Sequence, residues 1–101
     1  PSVNPYNHQL HLFDKNQPEN LEFLRKFRAV LNPYGAAAVG EVGDAQRGLE
    51  IMAEYTSGGD KVQMCYPFEM LQPTRLTAEM LVETFARMAK AAPDAWPCWA
   101  Y

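Results

Sequence analysis

Leu21, Phe23, Leu24, Phe27, Val30 and Leu31 recur at helical spacing, and Glu22, Arg25, Lys26 and Arg28 take the other side. Asn16, Pro18 and Glu19 mark the start of this helix, since proline is tolerated in a first turn and acids favour its positive end. Asn32-Pro33-Tyr34-Gly35 stops it. The pattern then changes. Residues 36–42 (Ala36-Ala37-Ala38-Val39-Gly40-Glu41-Val42) form a short apolar run with one carboxylate near its end, which predicts a strand buried on both faces. Asp44 begins the turn into a second helix, where Leu49, Met52, Ala53 and Thr56 line one face and Ser57-Gly58-Gly59-Asp60 ends it. Val62, Met64, Tyr66 and Phe68 alternate with Lys61, Gln63 and Cys65, as in a strand with one covered face. Thr77 is a good cap for a third helix. Ala78, Leu81, Val82, Phe85, Met88, Ala89 and Ala92 match its template before Pro93-Asp94 closes it. A further apolar run opens at Trp96-Pro97-Cys98-Trp99-Ala100-Tyr101.

Residues 1–17 have no period and read as a long loop carrying His8, His11 and Phe13. The order is therefore loop, helix, strand, helix, strand, helix and the start of a strand. Strands alternating with helices predict an α/β fold of parallel βαβ units. Three strands, one of them incomplete, make a poor independent sheet, and a closed (β/α)8 barrel needs ~250 residues. With 101 residues, the chain reads as a slice of a larger α/β protein, and its first residue, Pro1 rather than Met, fits that expectation.

Composition narrows the class. Hydrophobic residues make up 48% and charged residues 21%, ordinary for a globular chain and far from a disordered one. A net charge of −3 argues against nucleic acid as the partner. No segment approaches the roughly 18 apolar residues of a membrane span, and no signal peptide is visible, so the expected location is cytoplasmic without membrane contact. Cys65 and Cys98, each in an apolar segment, read as two buried reduced thiols rather than a disulfide. They lack zinc-site spacing, and Asp44 and Asp60 are single carboxylates without calcium-loop spacing, so neither metal nor cofactor is expected.

Glu41 carries the candidate chemistry. A carboxylate on an apolar strand is costly to bury unless it has a partner or a task. On residue type alone, an exposed or paired acid is the commoner outcome. Strand ends are also where α/β enzymes present catalytic groups.

Asp14-Lys15-Asn16-Gln17-Pro18-Glu19, followed by the first helix and Val39-Gly40-Glu41-Val42, closely resembles the bacterial α-glucosidases and oligo-1,6-glucosidases of glycoside hydrolase family 13. Gly40-Glu41-Val42-Gly43-Asp44, Arg47-Gly48-Leu49-Glu50 and Met64-Cys65-Tyr66 look most like the α-glucosidase branch. Asp94-Ala95-Trp96-Pro97-Cys98-Trp99 resembles the segment just before that family's Asn-His-Asp motif. The resemblance implies a (β/α)8 barrel that hydrolyses terminal α-glucosidic bonds of maltose-type or isomaltose-type oligosaccharides with retention. Residues 1–101 would then be part of the catalytic domain, with 1–17 the loop after strand 4 and 18–101 the helices and strands to the start of strand 7. Family members use an aspartate nucleophile after the fourth strand, a glutamate acid/base after the fifth and a stabilising aspartate after the seventh. Only the glutamate maps here, onto Glu41.

Retaining hydrolysis needs an acid that keeps its proton near neutrality, which burial and a neighbouring carboxylate favour, and Glu41 on its apolar strand suits that need. Gly43 leaves room for the leaving-group sugar, or is only a turn glycine. Phe68 and Tyr66 end the second strand, where their rings stack on glucose or pack in the core, with core packing the better reading for Tyr66. His8 and His11 read as solvated or packed loop residues in preference to sugar ligands. An α-glucoside oligosaccharide is thus the expected partner, and the isolated chain is expected to be inactive and to self-associate. The rival reading is a free-standing small α/β binding or scaffold module derived from such a gene, without catalysis.

Overall fold

The computed structural model describes residues 3–44, 46–71 and 75–100. Helix α1 spans Glu19–Leu31, with Glu19 and Glu22 in its first turn. Its end tightens into a 3-10 turn, Asn32–Tyr34, and Gly35 takes the left-handed conformation (φ 59°) that a side chain would disfavour. Strand β1 is Val39–Val42, helix α2 is Gly48–Thr56 and strand β2 is Met64–Pro67. A 3-10 turn, Phe68–Leu71, follows β2, and α3 runs Ala78–Ala91. Thr77 caps α3 as its type requires, its Oγ1 accepting the Met80 N–H at 3.2 Å.

The two strands are parallel, with Val39 opposite Met64, Gly40 opposite Cys65, Glu41 opposite Tyr66 and Val42 opposite Pro67. Helix α2 is the crossover between them, so the expected βαβ unit is present. Its Leu49, Ile51 and Met52 meet Val42, Val62 and Cys65, and α3 adds Met88 while Ala92 follows it. Among the described helices none is long and apolar enough to cross a membrane.

The elements form where the pattern places them, but coverage differs. The stripe of α1 contains no buried residue, and Phe23 and Val30 stand 61% and 64% exposed. On α3, Val82 is exposed while Thr84 is buried. Residues 36–38 lie outside β1, because the Gln63 side chain takes the place of a ladder there. Its Oε1 accepts the Ala38 N–H at 2.9 Å and its Nε2 donates to the Ala36 carbonyl at 3.3 Å. Strand β1 is covered on one side only: Val42 is buried, Val39 and Glu41 are exposed. The covered set of the second strand also shifts. Cys65 and Pro67 are buried, whereas Met64 and Tyr66 are half-buried, because residues 61–63 belong to the turn and the alternation starts afresh at Met64.

Beyond α3 no further strand is described and Tyr101 lies outside the described residues, but the Trp96 N–H donates to the Gln63 carbonyl at 3.1 Å. Trp99 meets Phe85 edge-on at 5.0 Å. Both cysteines are free. Burial pushes the Cys65 thiol up to about 11, whereas Cys98 is only partly covered, contrary to the expected pair of buried thiols.

Candidate functional site

Side chains alternate across a strand, so sending Val42 into the core sends Glu41 to the opposite face. In-register pairing places Tyr66 on that same face directly beside it. The Tyr66 hydroxyl donates to Glu41 Oε2 at 2.8 Å, and this bond to the carboxylate raises the phenol's own pKa. Glu41 is exposed rather than buried, which corrects the expectation drawn from its apolar strand. Apolar neighbours in sequence do not bury a side chain that points away from the covering helix.

Gly43 follows β1 and Phe68 follows β2. A Cβ on Gly43 would meet Phe68 Cε2 at 3.3 Å, so the missing side chain gives the aromatic ring its place. A carboxylate, a phenol and a phenyl ring therefore gather at the carboxyl end of two parallel strands, where α/β proteins carry their sites.

A cavity of about 470 Å³ opens beside Gly43, lined by Tyr6, Gln9, Leu10, His11, Lys15, Gly43, Asp44 and Gln46. The N-terminal loop builds most of its wall. A 3-10 turn, Pro5–His8, is capped by Asn4, whose Oδ1 accepts the Tyr6 N–H at 3.1 Å. His11 Nδ1 lies 2.7 Å from Asp14 Oδ2, and Nε2 lies 2.8 Å from the Tyr6 carbonyl. A carbonyl and a carboxylate only accept, so both bonds form together when His11 carries a proton on each nitrogen. The Asp14 hydrogen bond accordingly raises the His11 pKa, and His11 lowers that of Asp14. His11 is thus a loop pin, and His8 is exposed at the end of its turn.

Asn16 ties this loop to the strand end, its Nδ2 donating to Asp44 Oδ2 at 3.1 Å. Asp44 also accepts the Arg47 and Gln46 N–H groups at 2.8 and 3.0 Å, which holds its pKa below the usual carboxylate range. It shapes the entry to α2. An apolar cavity of about 320 Å³, lined by Met52, Phe85, Met88, Trp96 and neighbours, shares no residue with the Glu41 end and offers no titratable group. Among the described residues, no three His, Cys, Asp or Glu side chains are grouped to hold a metal ion.

The structure places Glu41, Gly43 and Phe68 at the carboxyl end of the two strands. It adds Tyr66, which sequence reasoning weighed toward the core. The signal that would have found it is the strand register, which pairs residues 25 apart.

No protein-family model matches the chain. Over 102 aligned residues, all of this chain, it is 63% identical to a probable alpha-glucosidase of Rhizobium meliloti (strain 1021), of which it covers 18%. It also matches a crystal structure of an alpha-glucosyl transfer enzyme, XgtA, with TM-score 0.78 and 38% identity, over 96% of this chain and 18% of that one. The chain thus spans about a fifth of the length of either protein, and the resemblance to α-glucosidases that its motifs carry extends from end to end.

Proposed function

We propose that this chain is a segment of the (β/α)8 catalytic barrel of a retaining family 13 α-glucosidase, with Glu41 as its general acid/base. The observation that carries the reading is Glu41 at the carboxyl end of a parallel βαβ unit, in a chain 63% identical throughout to a probable alpha-glucosidase. Strand β1 would be the fifth of the barrel and β2 the sixth, with residues 1–17 the loop after the fourth. The substrates are terminal α-glucosidic bonds of maltose-type or isomaltose-type oligosaccharides. Phe68 and Gly43 help to seat the sugars, and the setting is cytoplasmic with no cofactor.

In this reaction a carboxylate elsewhere in the full-length protein attacks the anomeric carbon while Glu41 gives its proton to the departing oxygen. The resulting Glu41 carboxylate then takes a proton from water as that water attacks the glycosyl-enzyme. A sugar hydroxyl can replace water at the second step, and the likeness to an alpha-glucosyl transfer enzyme supports that outcome as a second reading. The exposure of Glu41 suits both steps, since substrate and water must reach it.

The test is an assay of the full-length protein on maltose, isomaltose and an aryl α-glucoside, separating free glucose from transfer products. Release of glucose with retention, reduced on maltose by ~10²–10⁴-fold in Glu41→Gln, is the expected result. A full-length protein that binds but turns over none of the three favours the non-catalytic module instead.

A further inference from the structure

We propose that Tyr66 is the positioning residue for Glu41, its phenol holding Oε2 so that Oε1 alone faces the reacting oxygen. This rests on the reading of Glu41 as general acid/base. The geometry is specific. A glutamate at the surface of a strand end has three rotatable bonds and a wide choice of rotamers. Here its neighbour in the parallel register reaches over the shared face and bonds one oxygen at 2.8 Å. Both residues sit on hydrogen-bonded strands, so the distance between them is set by the sheet and not by a loop. Neither side chain belongs to the core under α2, where Val42, Cys65 and Pro67 occupy the covered positions. The tyrosine therefore shares with Glu41 the face turned away from α2, and it bonds the carboxylate there.

Retention asks the same carboxyl group to act twice at one point. It first passes its proton to the glycosidic oxygen as the C–O bond breaks, then accepts a proton from the attacking water. An orienting bond to Oε2 lets Oε1 serve both steps without a change of rotamer. Tyr66 keeps its own proton, since a phenol ordinarily titrates at about 10 and the bond to the Glu41 carboxylate raises it further. It is a donor in the ground state and takes no part in proton transfer. Glu41 and, through charge, Cys98 are the titratable groups that act on it among the described residues.

In the full-length enzyme, Tyr66→Phe is expected to lower kcat on maltose by on the order of 10²-fold, the usual penalty for a loosened reacting group, with little change in KM. A dinitrophenyl glucoside, which needs no acid, is expected to lose much less in its first step. Incorporating 3-fluorotyrosine at position 66, which keeps the hydroxyl donor and the packing, is expected to retain most of the maltose rate, and it keeps the test open if Tyr66→Phe folds poorly. A loss on maltose matched by an equal loss on the dinitrophenyl glucoside, or a change in KM with kcat kept, overturns the proposal. Glu41→Gln with azide separates the two ideas. Azide rescue alongside a silent Tyr66 removes only the positioning role, whereas no rescue removes the acid/base reading and the proposal with it.

Discussion

Gly43 lies against the ring of Phe68 across the ends of the two parallel strands, and a Cβ there would come within 3.3 Å of Phe68 Cε2. That separation is tighter than ordinary contact, so the ring must give by a few tenths of an ångström if the glycine is replaced. We expect Gly43→Ala to leave the fold intact, at a cost of about 1–3 kcal/mol as for a modest overpacking. In the full-length enzyme it should raise KM for maltose several-fold by displacing the ring. Because the two positions touch, Phe68→Leu should relieve part of that effect. A double-mutant cycle on KM checks this, and strict additivity counts against the pair as one surface.

Glu41→Gln is expected to reduce turnover of maltose by ~10²–10⁴-fold, since an amide cannot protonate the leaving oxygen. A fluoride or dinitrophenyl glucoside should keep more of its first-step rate, and azide should restore the second step by attacking without a base. Equal losses on all three substrates, with folding intact and no rescue, would return Glu41 to a structural role.

The isolated chain of 101 residues should show no turnover of an aryl α-glucoside, because no nucleophile is assigned within it and a glycosyl-enzyme cannot form without one. It should also self-associate. Phe23, Val30, Val82, Trp96 and Trp99 are all at least half exposed, and a two-stranded sheet leaves both outer edges unpaired. Size-exclusion chromatography with light scattering gives the answer, and a cooperative monomer at high concentration contradicts the expectation.

The His11–Asp14 pin should hold the N-terminal loop only within a window of pH. The folded pKa of His11 lies above its ordinary 6.5, so its contribution is complete below that value and is lost as pH rises through the folded one. Asp14 is shifted the other way. Its contribution is present above its ordinary 3.8 and is lost as pH falls through the folded value. Hydrogen exchange of the Gln9 and Leu12 amides, which bond Tyr6 and Leu10 carbonyls, should therefore be slowest between these limits, relative to intrinsic rates. His11→Gln should remove the alkaline dependence.

Turn and cap chemistry was readable because it is local. Thr77, Asp44 and Ser57-Gly58-Gly59-Asp60 act within a few residues of themselves, and each does in the structure what its type allows. The three helices and the parallel pairing also follow from periodicity and order. Coverage was not readable. The stripe of α1 announces a buried face through Phe23 and Phe27, yet burial depends on what is packed opposite, and here Leu24 alone of that stripe packs against the core. The same limit explains Glu41, whose apolar neighbours say nothing about which side α2 takes. Tyr66 is a matter of register. An alternation restarted at Met64 moves it off the core face, and no local pattern reports that restart.

Gln63 touches both ends of this arrangement, its side chain gripping Ala36 and Ala38 and its carbonyl receiving Trp96. During synthesis Ala36 and Ala38 gain these side-chain bonds only once Gln63 has been made. Glu41 likewise waits for a partner made 25 residues after it. Until then the carboxylate lacks the Tyr66 bond that orients it. Its orientation is acquired in the same event that closes the βαβ unit, so an unfinished chain has no oriented carboxylate to offer.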